Sequence, residues 1–501
     1  MPLAIAYSRG SSGVHAPLIT VEVHLSNGLP ALNIVGLAEA AVKESKDRVR
    51  SAIINSGFEF PSQRITINLA PADLPKEGGR FDLAIALGIL AASQQISSSS
   101  LVEYEFLGEL SLGGELRAVK GVLPVVIASR DAGRNLLIPI ASVTEAQLIQ
   151  HSGLFAARHL LEVCEHLLGK HSITPTITGY QARDKLFDID FAEIQGQFQA
   201  KRALEVAAAG DHNVIMIGPP GTGKSMLASR LPTILPPLNE HQAQETAVIA
   251  SISRQPLKPR DWSLPPFRNP HHTITAIALV GGGSHPKPGE ISLAHNGTLF
   301  LDELPEFDRK VLEVLREPLE TGVINISRTH HQTEFPARFQ LIAAMNPCPC
   351  GYWGDPSGRC RCTSEQIARY RQKISGPLLD RIDIHLEVSR QPLVSFQQAH
   401  ETPETSSVIR ERVMTARHLA FSRQAKTNSW LNPKEIDQYC KIDIQCQQLL
   451  TQAQQKLGLS HRAYHRILKV ARSIADLAGS DTIKTAHLSE AIGYRRLDRH
   501  L

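Results

Sequence analysis

The segment Gly218-Pro219-Pro220-Gly221-Thr222-Gly223-Lys224-Ser225, set directly after the apolar run 214–217, constrains this chain more than any other eight residues. A polyphosphate is cradled by backbone N–H groups that turn inward, and glycines permit that turn because they lack a Cβ. Lys224 adds a point charge for the outer phosphates, and Ser225 offers its hydroxyl to Mg²⁺. A glycine-rich surface loop is the alternative reading. The complete spacing, between an apolar strand and a helical stretch from Met226, favours a nucleotide triphosphate site in an α/β domain.

At 501 residues, 42% of them hydrophobic, the chain has length for about three domains with proper cores. The N-terminus lacks a basic flank followed by a long apolar core and a cleavage site. The longest apolar stretch, 83–92, is too short to span a bilayer. The expectation is a cytoplasmic protein with no membrane partner. A net charge of +4 is compatible with nucleic acid but does not select it. Of seven cysteines, four fall within 348–362, a pattern of a reduced compartment and a local metal site more than of a disulfide framework.

Short strands (20–25 and 64–69) alternate with helical segments (39–55 and 81–92), giving an α/β domain over residues 1–170. A polar, Thr- and Pro-containing linker, 171–190, follows. The nucleotide block, 191–390, opens at Ile194-Gln195-Gly196-Gln197, and Gln195 and Gly196 are assigned to the nucleotide site. The remainder, 391–501, begins as a polar loop and becomes helical in periodicity.

Downstream of the phosphate loop, Thr298-Leu299-Phe300-Leu301-Asp302-Glu303 reads as a buried strand ending in two acids. Asp302 suits Mg²⁺, directly or through water, and Glu303 suits the base that orients the attacking water; a solvated surface turn is the alternative. A third strand, 339–345, ends in Asn346, whose neutral amide can hydrogen-bond the γ-phosphate or the lytic water. Three strands ending in phosphate loop, acid pair and polar sensor resemble AAA+ ATPases. The resemblance extends to Leu378-Leu379-Asp380-Arg381-Ile382-Asp383, where it implies that Arg381 is an arginine finger presented to a neighbouring subunit's ATP, and hence a ring. A surface ion pair is the alternative for Arg381. In the helical block, Ser460-His461-Arg462-Ala463-Tyr464-His465-Arg466-Ile467 resembles the sensor-2 helix, with Arg462 at the γ-phosphate and Arg466 as the alternate.

Between phosphate loop and acid pair lie Arg268-Asn269-Pro270-His271-His272-Thr273 and the stretch from Gly281-Gly282-Gly283-Ser284-His285-Pro286-Lys287 to His295. With Leu304-Pro305-Glu306-Phe307 and Met345-Asn346-Pro347-Cys348-Pro349-Cys350-Gly351, they closely resemble the magnesium-chelatase-like branch of AAA+ proteins. Within it the whole chain is most similar to the ComM/YifB group. That resemblance implies a homo-hexameric, ATP- and Mg²⁺-dependent DNA helicase that drives branch migration in natural transformation, with recombinase or competence proteins as partners. Two loops could line its pore and meet phosphates: one bears His285 and Lys287, the other Arg328, His330 and His331. Exposed loop tips are the alternative. Aromatic residues make up only 5% of the chain, so backbone tracking on single-stranded and branched DNA, with little sequence preference, is the expectation.

Pro75-Lys76-Glu77-Gly78-Gly79-Arg80-Phe81-Asp82 and 108–116 resemble the Lon-protease-type domain of the ribosomal S5 fold. Arg80 falls at the nucleophile's place and Val122-Leu123-Pro124 at the lysine's, so the resemblance implies an inactive scaffold. Cys348-Pro349-Cys350 and Cys360-Arg361-Cys362, with nine residues between them, could surround a structural Zn²⁺, with free thiols as the alternative. Rival functions are a chelatase-like motor that remodels a protein partner, a Lon-type protease and an ATP-gated scaffold.

Overall fold

The computed structural model describes residues 3–36, 42, 44–74, 76, 78–179, 187–253, 255, 257–283, 286–328, 331–356, 358–390 and 403–495. They form two compact units. The first comprises 1–184 with 243–262 and 327–334; the second comprises 185–242, 263–326 and 335–501. No helix among the described residues is long and apolar enough to cross a membrane.

The first unit is a seven-stranded mixed sheet. Alternating burial in Leu18–Ser26 and Arg64–Ala70 puts one face of each strand in the core, as the alternating sequence predicts. Against it lies the helix Asp82–Ala92, buried on every side because it is apolar all round. It comes so close that a Cβ on Gly88 would stand 2.6 Å from the Val23 side chain. Asp82 has no access to solvent and is held by Arg48 Nε at 2.8 Å. Burial raises its pKa despite that partner. The helix expected over 39–55 is seen as Ser45–Asn55; 37–41 and 43 lie outside the described residues.

The second unit contains a five-stranded parallel sheet. Its strands lie in the order Phe267–Arg268, Thr298–Leu301, Gln340–Met345, Val214–Ile217, Ile384–Glu387. Pairings such as Leu299 with Leu341 and Ile215 with Ala343 put the sensor strand between the phosphate-loop strand and the acid-pair strand. The three central strands are buried throughout, as a parallel sheet covered on both faces requires. Gln340 Nε2 anchors the start of the sensor strand on the carbonyls of Ala207 and His212, at 3.0 and 2.8 Å.

The C-terminal region is helical, with helices Ser406–Gln424, Pro433–Tyr439, Ile444–Leu457, His461–Leu477 and Thr485–Gly493. Side-chain caps start three of them: Asn432 on Glu435 N, Asp443 on Cys446 N and Ser460 on Ala463 N. Ala463, Ile467, Val470, Ala471 and Ile474 form one helical stripe, and it joins the same apolar cluster as Val214, Met216 and Ile342 of the sheet.

Beneath this seam lies a chain of buried polar groups. His212 Nε2 meets Ser473 Oγ at 2.8 Å and its Nδ1 meets Asp383 Oδ2 at 3.3 Å, while Asp383 also pairs with Arg466. Burial alone would raise the Asp383 carboxyl, but the Arg466 charge and the His212 hydrogen bond hold it far below the usual carboxylate range. Asp383→Asn should cost about 3 kcal/mol, the low end for breaking a buried pair, because Arg466 is 21% exposed and can rehydrate. A depressed carboxylate contributes stability above its unfolded pKa and loses it as pH falls through the folded one. Denaturant titrations from neutral pH to below about pH 4 should therefore show a steeper acid loss in the wild type than in the variant.

Candidate active site

The parallel arrangement brings the phosphate loop, Asp302-Glu303 and Asn346 out at the same edge of the sheet, at the carboxyl ends of three strands. They line a cleft of about 320 Å³. The loop glycines have separable roles. Gly221 and Gly223 adopt φ of +76° and +87°, which strain other residues. Gly218 is required by packing, since a Cβ there would lie 2.1 Å from the carbonyl oxygen of Val388.

Lys224 opens the helix Lys224–Ile234 and is buried. Its ammonium donates to the carbonyls of Gly218 and Pro219 at 2.6 and 2.9 Å and to Asn346 Oδ1 at 3.3 Å. Burial pushes its pKa down against the pull of Asp302 and Glu303. Thr222 Oγ1 closes the loop on the Pro219 carbonyl at 2.9 Å. Ser225 Oγ donates to Asp302 Oδ2 at 2.6 Å, which pairs the two oxygens suited to Mg²⁺. Asp302 Oδ1 accepts the Glu303 N–H at 2.9 Å. Glu303 itself has φ of +52°, a conformation that costs a non-glycine residue on the order of 1 kcal/mol or more. Its carboxylate is 56% exposed, with His272 Nδ1 3.5 Å away.

The His272 contact was missed by sequence reasoning, in which Arg268-Asn269-Pro270-His271-His272-Thr273 counted only as a family motif. Its imidazole packs at a tilt against His271, with centroids 4.1 Å apart, and meets Phe307 edge-on. Gln197 is a second addition, tying the phosphate loop to the end of the edge strand through Thr222 O at 3.3 Å and Ser389 O at 2.9 Å. The expected Gln195 and Gly196 immediately precede it and do not line the cleft.

Arg381 and Arg462 are also outside the cleft. Arg381 precedes strand Ile384–Glu387, at the opposite edge of the sheet from the phosphate loop, and is 6% exposed. Arg462 is exposed on the first turn of His461–Leu477, whereas the alternate, Arg466, is occupied by Asp383. Lys287 is exposed on a short strand paired with Gly281–Gly282. Arg328 and His331 end and begin the paired strands Val323–Arg328 and His331–Pro336. His285 and His330 lie outside the described residues. In the first unit, Arg80 donates to the carbonyls of Gly10 and Lys120 at 3.3 and 2.9 Å.

The four clustered cysteines converge, with all four sulfurs within 4.8 Å of one another. Cys348 Sγ lies 3.3 Å from Cys350 Sγ and 3.8 Å from Cys360 Sγ, and the last two are 3.7 Å apart. A tetrahedron of thiolates around Zn²⁺ has edges of about 3.8 Å, so the donor set fits that ion. Backbone hydrogen bonding from Tyr352 draws the Cys350 thiol down to about 6. Cys362, despite a backbone hydrogen bond at Cys350, is pushed up to about 12 by desolvation and the neighbouring sulfurs. Four sulfurs this close resist joint ionisation unless a cation compensates them.

Comparison with known proteins places this geometry. Residues 190–396 match the family model of magnesium chelatase subunit ChlI, 21–142 that of subunit ChlI of Mg-chelatase, and 403–495 that of the ChlI C-terminal region. The competence protein ComM of Haemophilus influenzae is 51% identical over 508 residues, covering 100% of this chain and 99% of that protein. The chain belongs to the ComM/YifB family. The protein YifB of Escherichia coli is 50% identical over 502 residues, 100% of this chain and 98% of its own. Lon protease 2 of Bacillus subtilis is 29% identical over 204 residues, 36% of either chain. The ComM/YifB family is a magnesium-chelatase-like branch of the AAA+ proteins, and such proteins use ATP and Mg²⁺.

Lys224→Ala removes a buried cation that bonds Asn346 and feels Asp302 and Glu303. It should weaken nucleotide binding by at least about 3 kcal/mol, beyond detection with a fluorescent ATP analogue. Glu303→Gln should leave the analogue's affinity within about twofold while steady-state hydrolysis falls by roughly 10²-fold or more.

Proposed function

We propose that this protein is an ATP-driven ring, a homo-hexamer, that translocates on single-stranded and branched DNA and moves recombination junctions during natural transformation. The observation that carries this reading is the end-to-end likeness to a competence protein together with the gathering of Lys224, Ser225, Asp302, Glu303 and Asn346 in one cleft. A chain that only gated a scaffold would have no need of a carboxylate held in a strained turn beside the phosphate loop.

In this mechanism the loop N–H groups and Lys224 hold the β- and γ-phosphates. Ser225 and Asp302 would hold Mg²⁺, which would supply positive charge to offset that of the phosphates. Glu303 orients and deprotonates the attacking water, Asn346 fixes the γ-phosphate or that water, and Arg462 contacts the γ-phosphate from the helical region. Arg381 acts in trans, adding positive charge as the bond to the leaving group lengthens. DNA is tracked through its backbone by Lys287, Arg328 and their histidine neighbours, so sequence preference is slight. The block 1–170 is read as a Lon-type domain without protease chemistry, since Arg80 offers no nucleophile. The cysteine cluster is read as a structural Zn²⁺ site.

A second reading, a chelatase-like motor that remodels a protein partner, is favoured by the chelatase-subunit models that match three stretches of the chain. Branch migration of a synthetic four-stranded junction separates the two. The wild type should move the junction with ATP and Glu303→Gln should not; an immobile junction, with hydrolysis indifferent to DNA, would turn the reading to the protein remodeller. For the cluster, metal analysis of chelator-washed protein should return about one zinc per chain and no reactive thiol among the four cysteines. Zinc-free protein with four titratable thiols in the cluster would reject that site.

A further inference from the structure

The guanidinium assigned to a neighbour's ATP is fully engaged within its own chain. Arg381 Nε donates to the carbonyl of Arg316 at 3.1 Å, Nη1 to that of Pro377 at 2.6 Å, and Nη2 pairs with Glu320 Oε1 at 2.7 Å. It borders a cavity of about 530 Å³ whose wall also carries Glu313, Arg316, Glu317 and Glu320. Of the three acids, Glu313 is taken by Arg316 at 2.8 Å. The Arg381 backbone is pinned, because Asn213 Nδ2 holds its carbonyl at 3.0 Å and Asp383, two residues on, is buried against His212 and Arg466. Any excursion toward another subunit is therefore a movement of the side chain alone, and it must break the pair with Glu320.

Glu320 lies in the one-turn helix Pro318–Thr321, two residues before Gly322 and the strand Val323–Arg328. That junction is stiff. Thr321 Oγ1 bonds the carbonyls of Glu317 and Val323 at 3.0 and 3.1 Å, and Ala337 N closes on Gly322 O at 2.8 Å, fixing the foot of the hairpin. A Cβ on Gly322 would lie 2.8 Å from the Arg338 side chain, so the foot has no slack on that side. Glu320 is 48% exposed and free to part from Arg381 without leaving a carboxylate stranded in the core.

We infer that Glu320 is a positioning residue that holds Arg381 in its own subunit and releases it when the protein binds a polyanion. This rests on the proposed reading of Arg381 as a finger in trans and of the protein as a DNA translocase. The pair acts as a two-state element: retained, it keeps hydrolysis slow; broken, it lets Arg381 reach the adjoining nucleotide.

The test measures ATP turnover by full-length wild type, Glu320→Gln and Glu320→Asp, with and without single-stranded DNA. Glu320→Gln keeps the shape and loses the charge. It should raise the DNA-free kcat about two- to fivefold, the range of an ion pair with one exposed partner, and shrink DNA stimulation by a like factor with KM for ATP unchanged. Glu320→Asp should retain most of the wild-type ratio. An unaltered ratio, or an equal fall in both rates, overturns the inference. Mixing Arg381→Ala with Glu303→Gln subunits isolates the reading beneath it, since a finger in trans must restore turnover at mixed interfaces. No restoration sinks the trans role of Arg381, and the inference with it; restoration with an unaltered Glu320→Gln ratio sinks the inference alone. If DNA does not stimulate the wild type, the DNA reading fails and the DNA-free rise decides whether Glu320 restrains Arg381.

Discussion

The site depends on one hydrogen-bonded ladder, the sensor strand Gln340–Met345 running parallel between Val214–Ile217 and Thr298–Leu301. Because the three strands point the same way, whatever follows each of them emerges at the same edge, and groups up to 126 positions apart, Pro220 to Asn346, share one cleft. A two-residue slip of the sensor strand would carry Asn346 away from Lys224 by about 7 Å. The slip is resisted at the other end, where Gln340 and Asn213 exchange hydrogen bonds with Ala207, His212 and Leu341.

The helical C-terminal region is bound to this sheet by two kinds of force that act differently. The apolar stripe of His461–Leu477 supplies burial worth about 1.5–3 kcal/mol for each large aliphatic side chain, but it is tolerant of small shifts. The polar chain from Ser473 through His212 to Asp383 and Arg466 is directional, and it permits one seating. Asp383 thus takes part in two devices. It registers the helix on the sheet, and it pins the backbone beside Arg381 so that only the arginine's side chain is left to move.

The same economy of placement governs the nucleotide cleft. Lys224 already holds Asn346, and Ser225 already holds Asp302, through hydrogen bonds that the phosphates and Mg²⁺ of a bound nucleotide would replace. Glu303 is the exception, in a left-handed turn with its carboxylate turned to solvent and His272.

Much of this was legible in the order of residues. The eight-residue loop, the acid pair behind an apolar strand, Asn346 at the end of a third strand and the four cysteines are local patterns whose chemistry follows from spacing, and the cleft gathers the first three as expected. The alternation of 18–26 and 64–70 and the apolar 82–92 likewise announced strands and a buried helix through periodicity alone. What the sequence could not contain were pairings made across long stretches of chain, because no local period records them. His272 beside Glu303, Gln197 on the phosphate loop, the use of Gly218 to admit Val388, and the capture of Arg381 by Glu320 all arise where separate elements are packed together. Spacing determined which residues could do the chemistry; the tertiary fold decided which of them are held, and by what, because contact energies depend on distance in space and not on separation along the chain.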